Sequence, residues 1–188
     1  MIRLLVGLGN PTSQYEKTRH NAGFWFLDQL AERSRAGFRT ETRFQGMVAK
    51  DEARSLLLLK PMTYMNRSGQ SVGALRTYYR LEVHEILVAH DDLDLAPGVV
   101  RLKRGGGHGG HNGLRDLIGH LGSPDFFRLR IGIGHPGRKE EVANYVLGPP
   151  SRSESEAIRE ALEFAITGLD ELLVSGPERA MTLLNSRA

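Results

Sequence analysis

Three stretches of this chain carry groups suited to chemistry. Leu87 to Leu95 reads LVAHDDLDL, an apolar run that ends in three carboxylates, the pattern of a buried strand emerging at an active-site edge. Arg104 to Gly113 reads RGGGHGGHNG, where glycine and histidine leave almost nothing apolar to bury, so the backbone is open to meet a ligand. His20 lies between Arg19 and Asn21 in a segment with too little hydrophobicity to explain a core position. Taken alone, a histidine there also suits a cap or a surface site. Several chemistries are disfavoured at once. The chain has no cysteine, which removes disulfides, thiolate nucleophiles and cysteine-bound zinc. It has no Gly-x-Ser-x-Gly elbow for a serine hydrolase and no Gly-Lys-Ser/Thr phosphate loop. Gly7-Leu8-Gly9 lacks the third glycine of a dinucleotide fingerprint, and Pro11 interrupts the helix start that fingerprint needs. His90, Asp91, Asp92, Asp94, His108 and His111 resemble a ligand cluster. Their spacing is not that of a zincin helix, however, and imidazoles on a glycine loop lose much entropy in holding a fixed geometry, so no metal is expected.

What remains is water as nucleophile and histidine as base. If the loop after the first strand lies beside the acidic end of Leu87 to Ala89, as parallel strands in one sheet would place it, Asp91 can reach His20. The carboxylate would hold the imidazole tautomer and stabilise its protonated form, while the helix start near Asn21 opposes that charge. The base would then sit near neutrality.

The elements that must position these groups follow from the apolar pattern. Ile2 to Leu8 reads as a strand closed by Gly9-Asn10-Pro11. From Ala22, Phe24, Trp25, Leu27, Leu30 and Ala31 recur at helical spacing, with Asn21 as N-cap and Gly37 as stop. Gly46 to Ala49 and Ser55 to Leu59 form a hairpin around Lys50 to Ala53, closed by Pro61. A helix starting at Asn66 or Ser68 runs to about Arg80, and strands follow at Glu85 to Ala89 and Val99 to Lys103. A helix from about Asn112 to Leu121 precedes Phe127 to Ile133, a strand with period-two alternation whose outward positions include Arg128 and Arg130. Arg152 to Leu173 is an amphipathic helix, with a shorter one after Pro177. The expected fold is an α/β, three-layer sandwich in a single domain over residues 1–188, with a twisted, mixed and mostly parallel central sheet flanked by helices.

At 188 residues, 40% hydrophobic and 25% charged, the chain is neither disordered nor fibrous, and no apolar run approaches a membrane span. The amino terminus, MIRLLVGLGN, is interrupted too soon for a signal peptide, so a cytoplasmic location is expected. The net charge of +3 conceals an asymmetry. Residues 101 to 139 hold eight basic side chains against two acidic, while residues 151 to 188 hold four against seven. A basic middle suggests a polyanion met by one face, although a solvated charged surface would give the same count.

Five motifs in order carry a resemblance: Gly-x-Gly-Asn-Pro at 7–11, Thr-Arg-His-Asn-Ala-Gly at 18–23, Met-Asn-x-Ser-Gly at 65–69, HDDLDL and GGGHGGHNG. Together they make the chain closely resemble the bacterial peptidyl-tRNA hydrolases over nearly its whole length. The resemblance implies cleavage of the ester joining a peptide, or another N-blocked aminoacyl group, to the 3′ end of tRNA, with no cofactor. It implies that His20 is the base activating water, Asp91 its carboxylate partner, and Asn10 the residue that separates blocked from free amino groups. Asn66 and Asn112 would position substrate and water, and Tyr15 and Tyr64 would contact the tRNA end or the peptide. Lys103 and Arg130 match a basic pair that clamps the tRNA 5′-phosphate, with Arg138 and Lys139 as further phosphate contacts. The glycine loop and residues 134–148 would be the two walls of the cleft. The partner implied is peptidyl-tRNA alone, bound by a monomer with no obligate protein partner. One departure is Thr12, where the family has glycine, which puts a β-branched residue in a turn that glycine eases. Two rival readings are an RNA-binding scaffold without catalysis and a metal-dependent hydrolase built on the loop histidines.

Overall fold

The computed structural model describes residues 1–187. Seven strands form one sheet: β1 (Leu4–Gly7), β2 (Arg39–Glu41), β3 (Gly46–Asp51), β4 (Leu56–Pro61), β5 (Ile86–Asp92), β6 (Val100–Arg104) and β7 (Phe127–Gly132), in the order β2-β3-β4-β1-β5-β7-β6. The central strands β4, β1, β5 and β7 are mutually parallel, and β3 and β6 run against them. Helices cover both faces. On one lie α1 (Ala22–Ser34), α5 (Arg152–Ser175) and α6 (Pro177–Asn185), sharing a core with Leu5, Leu58, Leu87 and Ile131. On the other lie α2 (Ser68–Tyr79) and α3 (Asn112–Leu121), packed on Leu4, Val6, Leu59 and Val88. A short α4 (Val142–Val146) stands at the edge of the first layer. This is the expected three-layer arrangement. It follows from strands buried on both faces, which need apolar residues at successive positions and not at alternate ones.

The register places the chemistry. β1 and β5 pair with Gly7 opposite Ala89, so the loop leaving β1 and the acidic end of β5 emerge at one edge. Close packing fixes α1 at the same edge. A Cβ on Gly23 would lie 2.4 Å from the Ala89 carbonyl oxygen, and one on Gly7 would lie 2.4 Å from that of Gly23. The first glycine of Gly-x-Gly therefore seats a helix against the sheet and marks no cofactor turn.

Several local expectations differ from the structure for physical reasons. α1 stops at Arg35, in the left-handed region (φ 55°), whose N–H meets the Ala31 and Glu32 carbonyls, before Gly37 is reached. Asn21 precedes α1 but makes no side-chain cap, because its amide is spent on Asn10. The hairpin turn is Glu52–Ser55, since Asp51 stays in the ladder opposite Leu56. β2 was not anticipated: three residues reading Arg-Thr-Glu have no apolar signature. Arg128, expected to face outward, is 1% exposed.

Candidate active site

His20 sits in a single 3₁₀ turn, Arg19–Asn21, that feeds α1. Its Nδ1 lies 2.8 Å from Asp91 Oδ2. The second carboxylate oxygen, Oδ1, is 2.8 Å from Nε2 of His111, the residue preceding α3. A buried carboxylate, 3% exposed, is thus matched on both oxygens. The hydrogen-bond network assigns the tautomers. Nδ1 of His111 accepts the Gly113 and Leu114 N–H groups as the N-cap of α3, so its Nε2 carries the proton donated to Asp91. His20 donates from Nδ1 to a group that only accepts, which leaves the lone pair on its Nε2. The rings of His20 and His111 lie 5.1 Å apart, and the ring of His90 lies 5.2 Å beyond that of His111.

Electrostatics separates these groups. Burial opposes a charge on His20, but the negative charge and hydrogen bond of Asp91 outweigh it and hold the imidazole above its ordinary value. Asp91 is opposed by burial and overruled by His20 and His111, which keep it far below the usual carboxylate range. His90 is fully enclosed, and burial, aided by His111, pushes it down to about 4. It donates Nδ1–H to the Asp91 carbonyl and stays neutral. The site therefore holds one carboxylate, one neutral buttress and one histidine poised to gain a proton. The facing atoms of His20, Asp91 and His111 lie within 4.8 Å of one another, close enough to suggest a cation site. In both contacts a ring N–H already meets a carboxylate oxygen, so a metal would have to displace two hydrogen bonds.

A cavity of about 540 Å³ opens beside this cluster. His20, Asp91, His108, His111 and Asn112 line it, and so do the cations Lys103, Arg128 and Arg130. Arg130 Nε donates to Asp92 Oδ2 at 2.8 Å. Lys103 has no hydrogen-bond partner among the described residues, and burial, then Arg128, then Arg130 press its ammonium down. Lys139, Val142, Ala143 and Val146, from the segment at α4, complete the lining, which Arg138 does not reach. Arg19, which the sequence marks only as part of the 18–23 motif and assigns no role, ties the α4 segment to the His20 turn. Its guanidinium stacks 3.8 Å from the Tyr145 ring centroid and donates to the Tyr145 carbonyl, while its own N–H meets Gly148.

Asn10, Tyr15, Tyr64 and Asn66 do not line this cavity. Asn10 is buried, and its backbone N–H and C=O are both bonded by the Asn21 amide, at 2.8 and 3.0 Å. Its Oδ1 accepts the Met65 N–H at 2.7 Å, which leaves its NH2 group without a partner among the described residues. Tyr15 and Tyr64 meet edge to face, ring centroids 6.3 Å apart. Asn66 and Asn112 line a second cavity of about 360 Å³, and Asn112 lines both. Thr12 and Tyr64 flank Asn10 with φ of 81° and 66° and ψ near 150°, a region that favours glycine. Thr12 therefore keeps the backbone that a glycine would adopt.

Comparison with known proteins decides the family. The family model described as Peptidyl-tRNA hydrolase matches residues 4–188. The chain belongs to the peptidyl-tRNA hydrolase family. Curated peptidyl-tRNA hydrolases from Azoarcus sp. and Coxiella burnetii are 52% and 51% identical to it over 185 residues. These alignments take in 98% of this chain and 85% and 98% of the relatives. The crystal structure of peptidyl-tRNA hydrolase from Acinetobacter baumannii superimposes with a TM-score of 0.95 at 48% identity, covering 98% of this chain and 95% of that one. The chain is a peptidyl-tRNA hydrolase in fold and reaction: it hydrolyses the ester of peptidyl-tRNA. No helix among the described residues is long and apolar enough to cross a membrane.

Proposed function

We propose that His20 is the general base of this reaction. The observation that carries the reading is the 2.8 Å contact between His20 Nδ1 and Asp91 in the wall of a cavity that Lys103 and Arg130 also line. With Nδ1–H donated to Asp91, Nε2 takes a proton from water as the oxygen attacks the ester carbonyl carbon. The tetrahedral oxyanion then collapses, the ribose 3′-oxygen leaves, and the protonated His20 returns its proton to that oxygen. Asp91 stabilises the imidazolium between these steps. The amide of Asn112, at the cavity wall, and that of Asn66 orient the peptidyl group and stabilise the oxyanion.

Asn10 supplies selectivity. With Oδ1 held by Met65 N–H, only its NH2 donors remain for substrate, so it meets the carbonyl of a blocked amino group and repels a free ammonium. Tyr15 and Tyr64, next to it, give the peptide or the terminal base an aromatic surface. Lys103 and Arg130 hold the 5′-phosphate, which lies at the same end of the acceptor stem as the scissile ester. Contacts of this kind read phosphate and shape, so binding is indifferent to which tRNA arrives. The protein acts as a monomeric single domain in the cytoplasm, without a metal or cofactor. The test is incubation with N-acetyl-aminoacyl-tRNA and with free aminoacyl-tRNA, each with and without chelator. Selective cleavage of the blocked substrate, unaffected by chelation, is expected; equal cleavage of both, or loss of activity with chelator, contradicts the reading.

A further inference from the structure

The largest fully buried side chain of the protein is a cation, Arg128 on β7. Nothing in the hydrolytic chemistry uses it. Its Nη2 donates to the carbonyls of Gly106 and Pro124 at 2.6 and 3.1 Å, and its Nη1 donates to that of Gly107. The guanidinium lies 4.5 Å from the Phe126 ring centroid. Nε has no partner, and among the described residues no carboxylate pairs with the group. A buried charge compensated only by carbonyls is costly, and its place in the ladder adds to that cost. Across the antiparallel β6–β7 pair, Arg128 stands directly opposite Lys103, a like-charge pair that destabilises a sheet. A packing role alone would be better served by an apolar residue of similar volume.

The carbonyls that Arg128 holds lead to Lys103. Gly106, in the glycine-favoured region at φ 101°, approaches so closely that a Cβ there would lie 2.8 Å from the Lys103 ammonium and 3.2 Å from its Cε. The start of the glycine segment is thus the surface against which the lysine rests. We propose that Arg128 is a positioning residue: it ties the root of the glycine segment to β7 and so fixes where Lys103 presents its ammonium to the tRNA 5′-phosphate. The planar fork is essential to this role, because it reaches three carbonyls from one buried position, which a single lysine nitrogen on a flexible stem does not reproduce. The inference rests on the phosphate clamp proposed above.

The test measures binding of acceptor-stem minihelices carrying either a 5′-phosphate or a 5′-hydroxyl. Arg128→Met and Arg128→Lys should both lose about tenfold affinity for the phosphorylated RNA, roughly the worth of one charge-assisted contact. Binding of the hydroxyl form should stay within twofold. In turnover, the loss should fall on KM and not on kcat. In a Lys103→Ala background, Arg128→Met should cost nothing further. Wild-type binding by Arg128→Lys would overturn the tether, since charge alone would then suffice. Equal losses on both RNAs, or losses that add to Lys103→Ala, would also overturn it by pointing to general destabilisation. If the Arg128 variants do not fold, Gly106→Ala perturbs the lysine's seat while leaving Arg128 in place. It should show the same phosphate-specific loss, and full retention of the phosphate preference would refute the proposal. Lys103→Ala alone separates the two readings: if it keeps the full preference for the 5′-phosphate, the clamp itself fails and the tether falls with it.

Discussion

The His20–Asp91 cluster and the cations that line the cavity are built on opposite principles. Around His20, Asp91 is matched on both oxygens, His111 is fixed through both ring nitrogens, and Asn21 bonds the backbone of Asn10 on both sides. Among the cations Lys103 faces Arg128 across the ladder, and of Lys103, Arg128 and Arg130 only the last has a carboxylate partner among the described residues, Asp92. Apart from the Asn10 NH2 group and Nε2 of His20 and His90, the first arrangement is hydrogen-bonded before substrate arrives, so it needs little reorganisation during the reaction. The second is relieved by an anion, so its repulsion becomes affinity for phosphate. Chemistry is rigidly prepared, and binding is left electrostatically incomplete.

The contrast can be broken from either side. Removing the prepared base has the largest effect: His20→Ala should slow turnover by roughly 10² to 10⁴ fold while tRNA binding is nearly unchanged. Single-turnover kinetics with a tRNA titration checks this, and near-normal turnover would remove His20 from its role. Among the cations, Lys103→Ala should weaken tRNA binding by about tenfold and reduce the salt slope by about 1, with kcat little affected. An unchanged slope would mean that the cation meets no phosphate. Thr12→Gly probes the frame around Asn10 and should have the smallest effect. Relief of a strained φ, worth about 1 to 3 kcal/mol, outweighs the backbone entropy of glycine, about 0.5 to 1 kcal/mol, so the melting temperature should rise by about 2 to 4 °C. A fall would show that Thr12 makes compensating contacts.

The same contrast marks what the sequence made legible. The apolar runs of β1, β5 and β7 and the helical spacing of α1 and α5 announced the layers, because burial leaves its period in the residue types. The parallel pairing of β1 with β5 brought His20 to Asp91, and this could be argued from two strand ends alone. The second partner of Asp91 was not foreseen. His111 lay in view within the glycine stretch, but its role depends on where α3 begins and on a tautomer set by two backbone N–H groups. Arg128 was placed outside because alternation reads a charged residue as solvated, whereas here carbonyls of a returning loop take the place of water. The contact of Arg19 is illegible for a related reason: its partner, Tyr145, is 126 residues away. Sequence periodicity finds what is buried among apolar neighbours. Polar groups buried against distant backbone leave no period.

The claim on which the account turns is that Asp91 sets the basicity of His20. The direct measurement is the pH dependence of kcat/KM for the wild type and for Asp91→Asn. In the wild type His20 must be neutral to act, so the rate should rise with pH through its elevated pKa. With asparagine, the charge that favours the imidazolium is gone and burial remains. The acidic limb should therefore move to lower pH, and the plateau should fall about 10- to 100-fold, the worth of one charge-assisted hydrogen bond. An acidic limb at the same pH in both proteins would contradict the claim.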